Sequence, residues 1–220
     1  MAANPGFPLV LDVRSWPVLM IGGGEEAAEK SQRLLESGAR VTVISPTLNE
    51  PLRLLAASGK IIHRGRHFRE TDLEHAILIL NTIRGDRDFA QMLSAKAREK
   101  RVLLWSVDYP EASSVTMPAV VAAGHVRVAI STSGVAPALS GFMKEDLERI
   151  LDTEFIEFVE WLGQLREQAK ANEPDAEKRR ALLYDALDGF RFLGQVRYPK
   201  VWMDRRTQSV PSVQPDMEKR

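Results

Sequence analysis

The apolar positions of the chain fall into short runs separated by amphipathic stretches. Val18-Leu19-Met20-Ile21 is an unbroken apolar run of strand length, and Glu25 to Ser37 follows with Ala27, Ala28, Leu34 and Leu35 on one side of a helix. Gly38 stops that helix, and the β-branched run Val41-Thr42-Val43-Ile44 begins almost at once, as a buried strand should. This strand–helix–strand unit takes about 30 residues, the length a parallel crossover needs. The alternation goes on through a short helix at Leu52 to Ser58, a strand near Lys60 to His63 and an apolar strand Ala76 to Leu80. A helix at Asp88 to Lys100 and a strand Val102 to Val107 complete it. Repeated β-α order predicts an α/β fold built on a doubly wound parallel sheet, with ligands at the carboxyl ends of its strands.

After Pro110 the pattern changes. Val126 to Ile130 alternates as a strand, and the rest reads as helix. Leu139, Phe142, Met143, Leu147, Ile150 and Leu151 recur at helical spacing, as do Phe155, Phe158, Val159, Leu162 and Leu165. The charged stretch Glu167 to Arg180 is expected to hold a solvated turn. A third amphipathic segment, Ala181 to Leu193, has Leu182, Leu183, Ala186, Leu187 and Phe190 on its apolar side. Beyond Tyr198, proline, serine and charge predict a flexible tail. The expected division is a Rossmann-like nucleotide domain at 1–112, a small contact region at 113–150, a helical region at 151–198 and the tail at 199–220.

Composition narrows the function classes. With 220 residues, 44% of them hydrophobic, the chain can bury a sizeable core. Thirty lysines and arginines balance thirty aspartates and glutamates, so no overall field draws it to nucleic acid or an anionic membrane, and neither is expected as a partner. The absence of cysteine removes thiolate nucleophiles and cysteine-ligated metals. Met1 to Pro8 has no basic start, and no stretch of about 18 apolar residues occurs. A cytoplasmic protein is the expectation.

The chemistry centres on Ile21-Gly22-Gly23-Gly24-Glu25-Glu26-Ala27, a G-x-G-x-x-A spacing between strand and helix. Gly22 permits the tight turn, Gly24 lets the backbone approach a pyrophosphate, and Ala27 lets the helix pack close to the sheet. Amides of the Gly22 to Ala27 segment then face the anion. At the end of the second strand, where a dinucleotide site normally carries an acid, stand Ser45, Pro46 and Thr47. These can bond a ribose without repelling a 2′-phosphate, so NAD is the expected cofactor and NADP stays open; alternatively Pro46 merely opens a turn. His63 and His67 have the spacing of a helical metal pair, but Ile61-Ile62 favours a strand and then a loop, and no metal site is expected. His125, beside Arg127, could contact substrate or simply sit in a surface loop. Arg64, Arg66 and Arg69 read as a solvated loop beside Glu70, Asp72 and Glu74 rather than a nucleic-acid patch.

Several blocks together resemble the precorrin-2 dehydrogenases, which also occur as the N-terminal part of siroheme synthases. They are Phe7-Pro8-Leu9, Val18 to Gly24, Gly38 to Pro46, Ser106 to Pro110, Met117-Pro118-Ala119 and Val128 to Pro137. The resemblance implies NAD-dependent oxidation of the tetrapyrrole precorrin-2 to sirohydrochlorin, with ferrous iron insertion an activity of some members, and a homodimer joined through the second half. It puts the essential aspartate on Asp108, and nucleotide contact on Thr82. By the residues alone, Asp108 is a turn residue before Pro110; with the resemblance it becomes the catalytic carboxylate, able to accept the proton lost with the hydride. Ser131, Thr132, Ser133 and Gly134 form a turn suited to the substrate's carboxylates, or to capping the following helix. Trp105 stands where the family has asparagine, Asn81 to Gly85 lacks the family's acids, and Ser133 and Ala136 replace a glycine and a serine. These departures support a second reading, a nucleotide or tetrapyrrole carrier or sensor without turnover.

Overall fold

A computed structural model describes residues 6–200 together with Trp202 and Met203. Two units divide the chain, residues 1–159 and residues 160–220.

The first unit is built on five parallel strands: β1 (Pro17–Ile21), β2 (Arg40–Ile44), β3 (Ile62–Arg64), β4 (Leu78–Asn81) and β5 (Leu103–Ser106), in the order β3-β2-β1-β4-β5. Helices α1 (Glu25–Glu36), α2 (Glu50–Ala57) and α3 (Arg87–Lys100) connect them. The central strands β1 and β4 are largely apolar because both sheet faces are covered there, whereas the edge strand β3 is exposed. Val18, Met20, Val41, Val43, Leu78 and Leu80 pack with Ala27, Leu34 and Leu52 on one face. Leu19, Ile21, Ile44, Ile79 and Leu104 pack with Leu73, Leu93 and Ala97 on the other. The chain leaves β1 in one direction to make β2 and β3 and returns on its other side to make β4 and β5. The end of β1 is therefore the topological switch point, where crevices open in such sheets.

The third strand begins later than expected. Lys60 and Ile61 are not in the third strand: their N–H groups bond Leu55 O at 3.0 and 3.4 Å, closing α2 instead of pairing with β2. The second half of this unit also contains a strand that periodicity did not reveal. Ala119–Ala123 (β6) pairs antiparallel with Val126–Ile130 (β7) through the Gly124-His125 turn. Its alanines carry little strand propensity and show no alternation, so the partner strand determines the structure. Val121, Ala123 and Ile130 pack with Leu147 and Leu151, around the end of α4 (Pro137–Ile150), and with Phe155 and Ile156 of α5 (Thr153–Asn172).

In the second unit, α6 is Ala176–Asp185, beginning five residues before the expected segment and ending well short of Leu193. Asp175 accounts for the early start, accepting from the N–H groups of Glu177 and Lys178 at 2.8 and 3.1 Å. The expected tail lies outside the described residues, apart from Pro199, Lys200, Trp202 and Met203.

Candidate nucleotide-binding and catalytic site

The three glycines after β1 are glycine for three different reasons. Gly22 has φ +114°, and a Cβ there would lie 2.3 Å from Thr82 Oγ1, which itself donates to Ile21 O at 2.9 Å. At Gly23 a Cβ would lie 2.0 Å from the backbone oxygen of Thr47 and 2.8 Å from Ser45 Oγ, and Gly23 O accepts from Asn49 N–H at 2.8 Å. The loop after β2 is thus pressed directly onto the turn. At Gly24 a Cβ would meet nothing within 4 Å. That open space lies over the start of α1, whose first helical bond runs from Ala28 N–H to Gly24 O at 3.1 Å. The amides of Glu25, Glu26 and Ala27 precede it, and helix amides in that position are available to an anion. Ala27 is fully buried, as close helix–sheet packing requires. A pyrophosphate fits this cradle.

A groove runs from the turn along the ends of the neighbouring strands. Gly22, Gly23, Gly24, Ser45, Pro46 and Thr82 line it, joined by Ile21, Ile44, Ile83, Arg66, His67 and Phe68. The last three were not foreseen as lining residues. The arginine loop is largely exposed, as expected, but it closes on one buried acid, Asp72. Arg64 Nη1 and Arg66 Nη2 each donate to Asp72 Oδ1 at 2.6 Å, and Arg66 Nη1 and Arg69 N–H reach Oδ2 at 2.8 and 2.9 Å. The Asp72 side chain is only 1% exposed. The Arg66 guanidinium foremost, with Arg69 N–H and Arg64, lowers its pKa to about 2 against the opposing effect of burial. Phe68 packs edge-on against Phe89 of α3 at 5.7 Å, and His63 Nε2 donates to Ser45 O at 2.9 Å. One wall of the groove is thereby fixed from behind.

Asp108 stands just beyond β5 with φ +63°, a left-handed conformation aspartate tolerates better than most residues. Its surroundings are pinned. Asn81, fully buried, donates to Ser106 Oγ at 2.7 Å and accepts from Ile83 N–H at 3.1 Å, while Val107 N–H bonds Asn81 O at 2.9 Å. Ser113 Oγ accepts from Ser106 N–H at 2.9 Å. The asparagine seen only as a departure from the family pattern is a clasp between the ends of β4 and β5. Arg84 connects Asp108 to the nucleotide turn: Nη1 donates to Asp108 Oδ1 at 2.7 Å and Nη2 to Glu26 Oε2 at 3.0 Å. Trp105 packs at the edge of the core cluster on the α1 side, with Lys30 Nζ 5.7 Å from its ring centre.

The Ser131 to Gly134 turn is organised within itself. Ser131 Oγ accepts from Ser133 N–H at 3.2 Å, and Thr132 Oγ1 accepts from Ala136 N–H at 3.3 Å. Ser133 and Gly134 have φ +53° and +78°. Among the described residues no hydrogen bond joins this turn to the glycine groove.

Sheet order and groove define the class: a dinucleotide-binding α/β domain of the Rossmann type, with its ligand end at the switch point. Residues 9–119 match the family described as "Putative NAD(P)-binding", and the chain belongs to that family. It is similar to siroheme synthase 3 of Aeromonas hydrophila subsp. hydrophila, 33% identical over 86% of this chain and 40% of the relative. Siroheme synthase of Nitrosospira multiformis is 30% identical over 92% of this chain and 44% of the relative. The chain thus spans about two fifths of the length of these relatives. A solved structure of "SirC, precorrin-2 dehydrogenase" has the same fold, with TM-score 0.72 and 23% identity over 84% of this chain and 90% of that one.

Proposed function

We propose that the chain is a precorrin-2 dehydrogenase, an oxidoreductase that forms sirohydrochlorin on the route to siroheme with NAD as acceptor. The observation that carries this reading is the bridge from the glycine turn to Asp108, which joins a cofactor cradle to a carboxylate at the end of β5. The names of its relatives supply the substrate class. Gly24 and the first amides of α1 hold the pyrophosphate, and Ser45 and Thr47 bond the adenine ribose. A bound nicotinamide would supply the hydride acceptor. Asp108 accepts the accompanying proton, so the substrate loses two electrons as hydride together with one proton and its net charge is unchanged. Thr132 and its turn contact the substrate's carboxylates, while its own cap bonds keep the turn in shape.

The second reading, a carrier without turnover, draws on Trp105 and the changed Asn81 to Gly85 turn; the contact of Arg84, within that turn, with Asp108 favours the dehydrogenase over it. A second copy of the chain is the proposed partner, through the face of α4 and the preceding turn that exposes Val135, Leu139, Phe142 and Ile150. Ferrous iron, as a substrate of chelation, would meet the product at the same carboxylate. Among the described residues no helix is long and apolar enough to cross a membrane, and the cytoplasm is the proposed location.

The test follows NADH formation with enzymatically made precorrin-2. Wild type should turn over and Asp108→Asn, which tolerates the same backbone, should lose at least about a hundredfold in rate. No turnover by wild type that still binds NAD would overturn the assignment.

A further inference from the structure

The loop after β4 places one guanidinium between two carboxylates that belong to different elements. Arg84 meets Asp108 beyond β5 and Glu26 in the first turn of α1. Glu26 in turn takes Lys30 through its other oxygen at 3.2 Å, and Lys30, with 13% of its side chain exposed, lies over Trp105. Charges therefore alternate along Asp108, Arg84, Glu26 and Lys30, from the carboxylate to the helix that supplies the pyrophosphate amides. The loop that carries Arg84 has a fixed exit, because Asn81 holds both Ile83 N–H and Ser106 Oγ.

As a contribution to stability this bridge is small. The Arg84 and Asp108 side chains are 59% and 41% exposed, and exposed pairs contribute about 0–1 kcal/mol. Its consequence is directional. Arg84 occupies Asp108 Oδ1, and among the described residues Oδ2 has no hydrogen-bond partner. One carboxylate oxygen is anchored and the other is left to accept a proton. The same guanidinium offsets the charge of Glu26 beside the anion cradle.

We propose that Arg84 is a positioning residue for the dehydrogenation: it holds the Asp108 carboxylate in one direction and ties it, through Glu26, to the helix that binds the cofactor. This rests on Asp108 being the proton acceptor. A residue with this role acts on turnover more than on folding or cofactor binding, and only while Asp108 keeps its carboxylate.

The experiment is a double-mutant cycle of Arg84→Met and Asp108→Asn in the full chain, read by kcat, KM for precorrin-2, NAD affinity and Tm. Arg84→Met should lower kcat by about tenfold or more, since misplacement of a reacting group by a full ~1 Å can cost about a hundredfold. NAD affinity should stay within about threefold and Tm close to wild type, and Arg84→Lys should recover part of the rate by restoring one of the two bonds. In the Asp108→Asn background, Arg84→Met should lower the residual rate no further. Wild-type kcat in Arg84→Met, or an equal loss in both backgrounds, would overturn the role of Arg84 while leaving Asp108 as acceptor. An active Asp108→Asn would instead overturn the reading beneath it.

Discussion

The Gly22–Gly24 turn ahead of α1 and the Ser131–Gly134 turn ahead of α4 both set small residues before a helix, yet they are held in opposite ways. The first is clamped from outside. Thr82 sits against Gly22, the Thr47 carbonyl against Gly23, and only the space over Gly24 is open. The second is held by its own side chains, and a Cβ at Gly134 would meet nothing within 4 Å. A clamped turn presents amides already fixed in place, so an anion arriving there orders little further. A self-capped turn on the surface can adjust to its ligand. The contrast accords with the proposed division of labour, a cofactor at the first turn and a carboxylate-bearing substrate at the second.

The largest effect that separates the two turns is expected from Gly23→Ala. Its Cβ has no room against backbone, so urea unfolding should show a loss of about 3 kcal/mol or more. An unaltered midpoint would mean that the clamp does not exist. A smaller loss tests the brace behind the groove. Asp72 stays ionised in the fold down to a pH of about 2, whereas its ordinary value is 3.8. Its folded pKa is depressed, so its contribution is complete above about pH 4 and is lost as pH falls towards 2. The amount is roughly 2 kcal/mol, and Asp72→Asn should remove that part of the acid dependence of Tm. The smallest change belongs to the second turn: Gly134→Ala, at φ +78° but in open space, should lose about 1 kcal/mol and leave NAD affinity untouched.

Much of the first unit was legible because its signals are local. The apolar run before Gly22, the helix that stops at Gly38 and the β-branched run after it each announce themselves within a few residues. The strand order was not legible in the same way, because right-handed crossovers fix the face a helix covers and not which strands are neighbours. Hidden features depended on pairings that no single segment announces, some local and some between distant parts of the chain. β6 is a strand because β7 pairs with it, and Gly23 is glycine because a loop after another strand presses on it. Asp72 looked like one acid among several beside three arginines, and only folding shows that Arg64 and Arg66 both reach it. Asn81 and Arg84 stood out merely as unusual residues. Their roles, a clasp across two strands and a bridge between two carboxylates, exist only where β4, β5 and α1 come together.

The most direct test of a nucleotide site at the glycine turn is calorimetric titration of NAD into wild type and Gly24→Asp, with Tm recorded for both. Gly24 has an ordinary φ and free space for a side chain, so the fold should tolerate the change, with Tm shifting by no more than about 2 °C. A carboxylate in the cradle should repel the pyrophosphate and weaken binding by at least about a hundredfold. Equal affinity in the two proteins would contradict the account and place the nucleotide elsewhere.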